Sequence, residues 1–180
     1  MNEMKTYTEA ELNKVLQNHK HWILQDVDGW ESMRAYLIGA DLTRADLTGA
    51  NLTGANLSEA NLSEAKNVPY IPMACPDSGE FTAWKMAGGK IVKLLIPEDA
   101  QRSSAAGRKC RCDKAIVLAV QNLDGTGTGI DSVPSSRDKD FIYKIGETVI
   151  VPDFCEDRFQ ECAAGIHFFI NRQEAVEYNG

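Results

Sequence analysis

The sequence predicts a mainly β chain with α+β character, in which a helix caps a short solenoid and a small domain of antiparallel strands follows. Three observations carry this. A five-residue pattern repeats six times without a gap over residues 35–64. An amphipathic stretch with a helix-start signal precedes it. Short runs of β-branched and aromatic residues, separated by Gly, Pro and Ser, follow it.

The repeats read AYLIG-ADLTR-ADLTG-ANLTG-ANLSE-ANLSE. Ala opens every block, and Leu holds every centre, at 37, 42, 47, 52, 57 and 62. A period of five suits neither regular element. On a helix, five residues turn about 140° beyond a full revolution, which scatters the leucines. On a strand, successive leucines would point to opposite faces. All six stay inside only if the backbone turns at every block, so the chain winds into coils that bury one another. Ala lets the walls approach, while Asp, Asn, Thr and Ser face outward or bond the turning backbone.

The pattern A-(D/N)-L-(T/S)-x resembles the pentapeptide-repeat family. The resemblance implies a right-handed quadrilateral β-helix with four blocks to a coil, hence about one and a half coils here.

Thr8 and Glu11 form a capping-box pair. Leu12, Val15, Leu16, His19, Trp22 and Ile23 then recur at helical spacing as far as about Leu24. A solenoid has open ends, so this helix is expected to cover the first coil, with Trp22 or Trp30 as the plug. After Glu64 the pattern fails, because Asn67 takes the Leu position, and Val68-Pro69-Tyr70-Ile71-Pro72 makes an extended exit. The expected division is residues 1–70, cap plus repeats, and residues 71–180, a mainly β domain.

In the second part, strands are expected at 81–86 and 90–96 around Gly88-Gly89, then at 115–120, 141–143, 148–151 and 165–170. Residues 122–140, rich in Gly, Ser and Asp, read as a mobile loop. Asn171 starts a short helix that runs to about Tyr178. Ile96-Pro97-Glu98-Asp99-Ala100, Arg102-Ser103-Ser104, Arg108-Lys109-Cys110-Arg111-Cys112, Glu161-Cys162 and Gly165-Ile166-His167-Phe168-Phe169 resemble an uncharacterised domain that follows short pentapeptide repeats in phage-encoded proteins. The resemblance implies a phage or prophage origin and brings no established activity.

A formal net charge of −7 favours solubility and opposes direct DNA binding. The polar N-terminus gives no signal peptide and no apolar run is long enough to span a bilayer, so the expected location is the bacterial host cytosol. Five cysteines, an odd number, fit a reducing compartment.

Against that acidic background, residues 102–114 are basic. Arg102, Ser103, Ser104, Arg108, Lys109 and Arg111 supply the forked guanidinium and hydroxyl donors that phosphate recognition uses, and His167 is added to them as a ligand-binding candidate. The bland alternative is a solvated loop whose cations pair with Glu98, Asp99 or Glu156. No Walker pattern and no G-x-G-x-x-G occurs. Cys75, Cys110, Cys112, Cys155 and Cys162 could gather on zinc, but no C-x-x-C pair exists, so neither a metal nor another cofactor is expected. No nucleophile motif singles out a catalytic residue; His167 with Tyr143 or Glu161 is the candidate pairing.

The function these features favour is a non-enzymatic phage accessory protein with an anti-defence role. Its C-terminal domain would bind a phosphate-containing ligand such as a nucleotide signal, or a host defence protein. Two alternatives differ in class. One is a DNA mimic built from acidic coils stacked end to end in a homo-oligomer, since a single block of roughly 7 Å matches only about two base pairs. The other is an enzyme that processes a nucleotide or ADP-ribose through His167.

Overall fold

The computed structural model describes residues 4–160 and 162–178. It is mainly β, with an N-terminal helix, one further short helix and several small antiparallel sheets. The chain forms two compact units. The first comprises residues 1–72 with the short segments 105–107 and 157–162, and the second comprises the rest.

The first unit begins with β1 (Lys5–Thr6) and α1 (Glu9–Leu24). The capping box is present in full: Thr8 Oγ1 accepts from the Glu11 backbone, and the Glu11 carboxylate accepts from the Thr8 backbone at 2.8 Å. A 3-10 turn at Trp30–Ser32 leads into the repeats, where β2 (Ala40–Asp41) pairs in parallel with β1.

Each repeat is built in the same way. The N–H of each opening Ala from Ala40 to Ala65 bonds the carbonyl of the preceding central Leu, at 2.9–3.1 Å, which closes a four-residue turn. The last residue of every block takes positive φ, at Gly39, Arg44, Gly49, Gly54, Glu59 and Glu64. Asx side chains brace the turn: Asp41, Asp46, Asn51 and Asn61 each accept from the N–H two residues on, at 3.0 Å. After four turns the backbone meets itself. Tyr36, Asp41 and Asp46 bridge in parallel to Asn56, Asn61 and Lys66. Leu37 N–H bonds the Asn56 carbonyl at 2.8 Å, and Asn56 N–H bonds the Ala35 carbonyl at 2.9 Å. All six central leucines are buried. At about 1.5–3 kcal/mol for each side chain withdrawn from water, this ladder is the main stabiliser of the unit.

Both ends of the leucine column are occupied. At the first, β1 adds a rung beside β2 and α1 lays Leu12 and His19 inward, both buried. The expected tryptophan plug is not used. Trp22 is half-buried, stacks on His19 at 5.2 Å between ring centres and lies against Gly54, and Trp30 is half-buried in its turn. Leu12 is instead the helix side chain that joins the buried leucines. At the other end, the Phe159 carbonyl accepts from Leu62 N–H at 3.2 Å, in the place a further rung would take. Phe159, Ala106, Val68 and Ile71 pack against the leucines, and Arg158 ties the segments together through the carbonyls of Ile71 and Ala105.

The second unit contains β3 (Phe81–Ala87), β4 (Lys90–Ile96), β5 (Arg102–Ser104), β6 (Cys110–Cys112), β7 (Lys114–Gln121), β8 (Ser132–Pro134), β9 (Ile142–Lys144), β10 (Thr148–Ile150), β11 (Ile166–Phe168) and α2 (Arg172–Glu177). Four strands form a sheet in the order β10-β7-β4-β3, three form β11-β6-β5, and β8 pairs with β9. Gly88 and Gly89, at φ 54° and 71°, turn the β3–β4 hairpin in the conformation that two-residue hairpins prefer. One core joins the sheets. Ala83, Ala87, Val92, Leu94 and Ile96 meet Cys110, Cys112, Ile166 and Phe168 there.

Two expectations change. The stretch 122–140 is not wholly a loop, since β8 lies in it with Val133 buried and Ser135 N–H bonded to the Phe141 carbonyl at 2.8 Å. The basic segment is not wholly a loop either, because Arg102–Ser104 and Cys110–Cys112 pair as strands. Among the described residues, no helix is long and apolar enough to cross a membrane.

Candidate functional site

The strand register places the basic segment. β5, β6 and β11 align Ser103 with Arg111 and Arg111 with His167, so these three side chains form one row across one face of the small sheet. The alternate rows, Cys112 with Ile166 and Cys110 with Phe168, face the core. Ser103 and Arg111 are buried, and His167 is half-buried. Ser103 Oγ has no hydrogen-bond partner. The Arg111 guanidinium donates to the Cys155 carbonyl at 3.0 Å and lies over the Phe154 ring. Gly165 makes room for it, since a Cβ there would stand 3.1 Å from Arg111 Cδ.

The other cations of the segment are engaged in the fold. Arg102 donates to the carbonyls of Ala100, Gly79, Pro97 and Glu98, at 2.6–3.1 Å, and so locks the loop after β4. Arg108 forms an ion pair with Glu174 of α2, which holds its proton more firmly. Lys114 pairs with Asp99 at 2.6 Å. Ser104 Oγ accepts from Ala74 N–H at 2.8 Å. Lys109 is buried with its ammonium over the Tyr178 ring. The register therefore gathers Ser103, Arg111 and His167, while Arg102, Ser104 and Arg108 serve local structure.

Sequence reasoning missed Lys85. In β3 it stands in phase with Phe81, Ala83 and Ala87, the residues that face the core, and opposite fully buried Val92. Its stem is half-buried and its ammonium is desolvated, donating to the His167 carbonyl at 3.1 Å with the Tyr143 ring centre 5.8 Å away. Burial, assisted by the charges of Arg137 and Lys109, pushes its pKa down to about 8. Among the described residues, no carboxylate is one of the groups that act on it. Burial also pushes the Tyr143 hydroxyl up, which keeps it protonated. The signal was available in the alternation of β3, where a cation falls between two alanines on the apolar phase.

The cysteines divide. Cys75, Cys110 and Cys112 are buried, Cys155 is half-buried and Cys162 is exposed, and none of them is in a disulfide. A hydrogen bond with Cys75, together with burial, pushes the Cys110 thiol up, and burial does the same to Cys112. Among the described residues, no three His, Cys, Asp or Glu side chains assemble as a metal site. Of the pairing expected for His167, Tyr143 is buried beside Lys85, and Glu161 lies outside the described residues. In the first unit, a cleft of about 350 Å³ between α1 and the repeats holds a single titratable side chain, Lys20.

A family of unknown function, DUF5758, matches residues 71–175, more than half of the chain. The chain belongs to that family. Pentapeptide repeats match residues 33–66. No curated protein and no solved structure matches the chain.

Proposed function

We propose that this DUF5758 protein is a non-enzymatic binding module whose second unit takes a phosphate-bearing ligand. One observation carries the proposal: Lys85 is held on the core side of β3 near other cations, with no carboxylate among the described residues acting on it. An uncompensated buried charge costs stability, and such a residue is kept where a ligand supplies the missing charge. Arg137 and Lys109 extend the positive potential around it. The site thus retains Lys109 and His167 of the basic constellation, the latter through its carbonyl, and moves the centre to Lys85.

The repeat block is the rigid carrier in this reading. We take it as a right-handed quadrilateral β-helix of about one and a half coils, a form supported by the parallel bridges between residues twenty apart. The functional boundary falls near residue 70. Stacking of coils into a DNA-mimicking oligomer needs bare coil ends, and α1 and Phe159 occupy them. The resemblance to domains of phage-encoded proteins makes a nucleotide signal in the host cytosol the favoured ligand, with an anti-defence role as its consequence.

Titration calorimetry of the full chain against inorganic phosphate and a panel of linear and cyclic nucleotides tests the proposal. The expected result is heat that Lys85→Met abolishes. No heat from any of these ligands overturns it. Heat lost in Arg108→Ala but kept in Lys85→Met would return the site to the basic segment. Turnover of a nucleotide or ADP-ribose, lost on His167→Ala, would establish the enzyme alternative instead.

A further inference from the structure

We infer that the cleft between α1 and the repeats is a second binding site, independent of the one proposed in the second unit, and that it takes a small aromatic carboxylate. The first observation is how the cleft arises. α1 touches the wall of the coil at one turn and stands off at the turn before it. A Cβ at Gly54 would meet Trp22 of α1 at 2.9 Å, whereas at Gly49, the same position one block earlier, it would meet nothing within 4 Å. The gap between the helix flank and the turn at 48–51 has a volume of about 350 Å³. That is room for a small molecule rather than for a peptide helix. The second observation is the lining. Leu16 and Ala50, both half-buried, line the cleft and also pack against the leucine column. Ile23 and Leu24 line it without joining that core, and Leu24 is 54% exposed. Leu16, Lys20 and Ile23 fall on one face of α1, so the Lys20 stem lies between apolar side chains.

The third observation is charge. Lys20 is the single titratable side chain of the cleft and makes no hydrogen bond or ion pair with a described residue. Asn51 Oδ1 accepts from Thr53 N–H at 3.0 Å, which fixes the amide plane and leaves its NH2 group as an oriented donor at the cleft. One ammonium beside an amide donor matches one carboxylate. A polyanion is not matched, because residues 1–72 carry ten Asp and Glu against six Lys and Arg. A cationic ligand would face Lys20. The apolar strip then selects the body of the ligand. A flat ring system covers such a strip with few rotatable bonds to freeze, which favours an aromatic acid over a long chain.

The test titrates the full-length protein with 2-naphthoate and reads the Leu and Ile methyl resonances by NMR. The Leu16 and Ile23 methyls should shift, with a dissociation constant on the order of 0.1 mM for a ligand of this size. The uncharged analogue 2-naphthamide should bind at least tenfold more weakly, and Lys20→Gln should remove that difference. Lys20 is exposed and bonds no described residue, so this variant keeps the fold. Gly49→Glu should abolish binding. Glu59 and Glu64 hold the same turn position at φ 61° and 57°, so the backbone accepts glutamate there, and its carboxylate would answer Lys20 in place of the ligand. No shift of these methyls at millimolar naphthoate overturns the site. Equal binding of naphthoate and naphthamide to the wild-type protein overturns the carboxylate. Displacement of naphthoate by an equal concentration of inorganic phosphate overturns the independence of the two sites.

Discussion

Each unit holds an ionisable side chain against its apolar core, His19 in the first and Lys85 in the second, and the two are treated differently. In the first unit His19 is fully buried at the coil mouth, but its Nδ1 accepts from Ala35 N–H at 3.2 Å, which fixes the neutral tautomer with the proton on Nε2. Nε2 lacks a full hydrogen bond, although the nearby Thr53 carbonyl favours its proton electrostatically. Burial lowers the His19 pKa, so at neutral pH this group is uncharged and its cost is small. In the second unit Lys85, with its pKa pushed down to about 8, remains largely charged at pH 7, and no carboxylate among the described residues neutralises it. The capped repeat block avoids a buried charge by keeping its histidine neutral. The second unit keeps a charge against its core, and that difference is the physical reason for placing phosphate recognition there.

The largest expected effect breaks the repeat block. Leu37 is fully buried among the other central leucines, and both ends of the column are closed, so a void there cannot collapse outward. Leu37→Ala should cost about 3–5 kcal/mol by chemical denaturation. A loss below about 1 kcal/mol would mean that the coil is loosely packed and is no rigid carrier.

The next effect has the opposite sign. The unfolded chain holds the lysine proton up to pH 10.5, whereas Lys85 in the folded protein releases it at about 8. Between those values the unfolded state binds more protons, so stability rises with pH, and below 8 the full cost is present. Lys85→Met should therefore raise stability at pH 7, by up to about 3 kcal/mol, and should remove the rise between pH 8 and 10.5. His19 gives the first unit a separate window. Its folded pKa lies below 6.5, so under acid conditions the unfolded chain takes up the proton first, and stability falls as pH drops through 6.5. Hydrogen exchange resolved by residue should show the repeats loosening on the acid side. A Lys85→Met variant less stable than wild type at pH 7 would remove the contrast between the units.

What the sequence disclosed follows the same division. The leucine period, the Thr8–Glu11 box and the β3–β4 hairpin are local signals, and each appears where its residues predict it. The closure of the far coil end by Phe159 is a contact across nearly a hundred positions that no periodicity encodes. The row Ser103–Arg111–His167 depends on strand register, which composition cannot give, and a run of cations reads as a loop until its pairing is known. Lys85 was legible in principle through its phase in β3, but a single lysine in a strand looks like a surface residue until the burial of Ala83 and Ala87 shows which face it is on.

A smaller effect tests how closely the cap seats on the repeats. Gly54 and Gly49 share the positive-φ turn position, at 76° and 71°, but a Cβ at Gly54 would meet Trp22 at 2.9 Å, while at Gly49 it meets nothing. Ala at either position bears the left-handed backbone cost of about 1 kcal/mol. Gly54→Ala should exceed Gly49→Ala by about 1 kcal/mol, because the indole must shift. Equal losses would mean that α1 gives way without resistance, and the coil mouth would then be only loosely covered.

The smallest expected effect separates the inside of the coil from its outside. Arg44 occupies a turn position at φ 63° and pairs with Glu64 at 2.8 Å, yet both side chains are mostly exposed, at 75% and 62%. Water screens such a pair. Arg44→Gly removes it and relieves the left-handed backbone at the same position, while giving the unfolded chain more freedom. These contributions oppose one another, so the denaturation midpoint should stay within experimental error of wild type. A clear fall would mean that the outer ionic ladder, rather than the leucine column, holds the coils together, and the strong response expected of Leu37→Ala would need another origin.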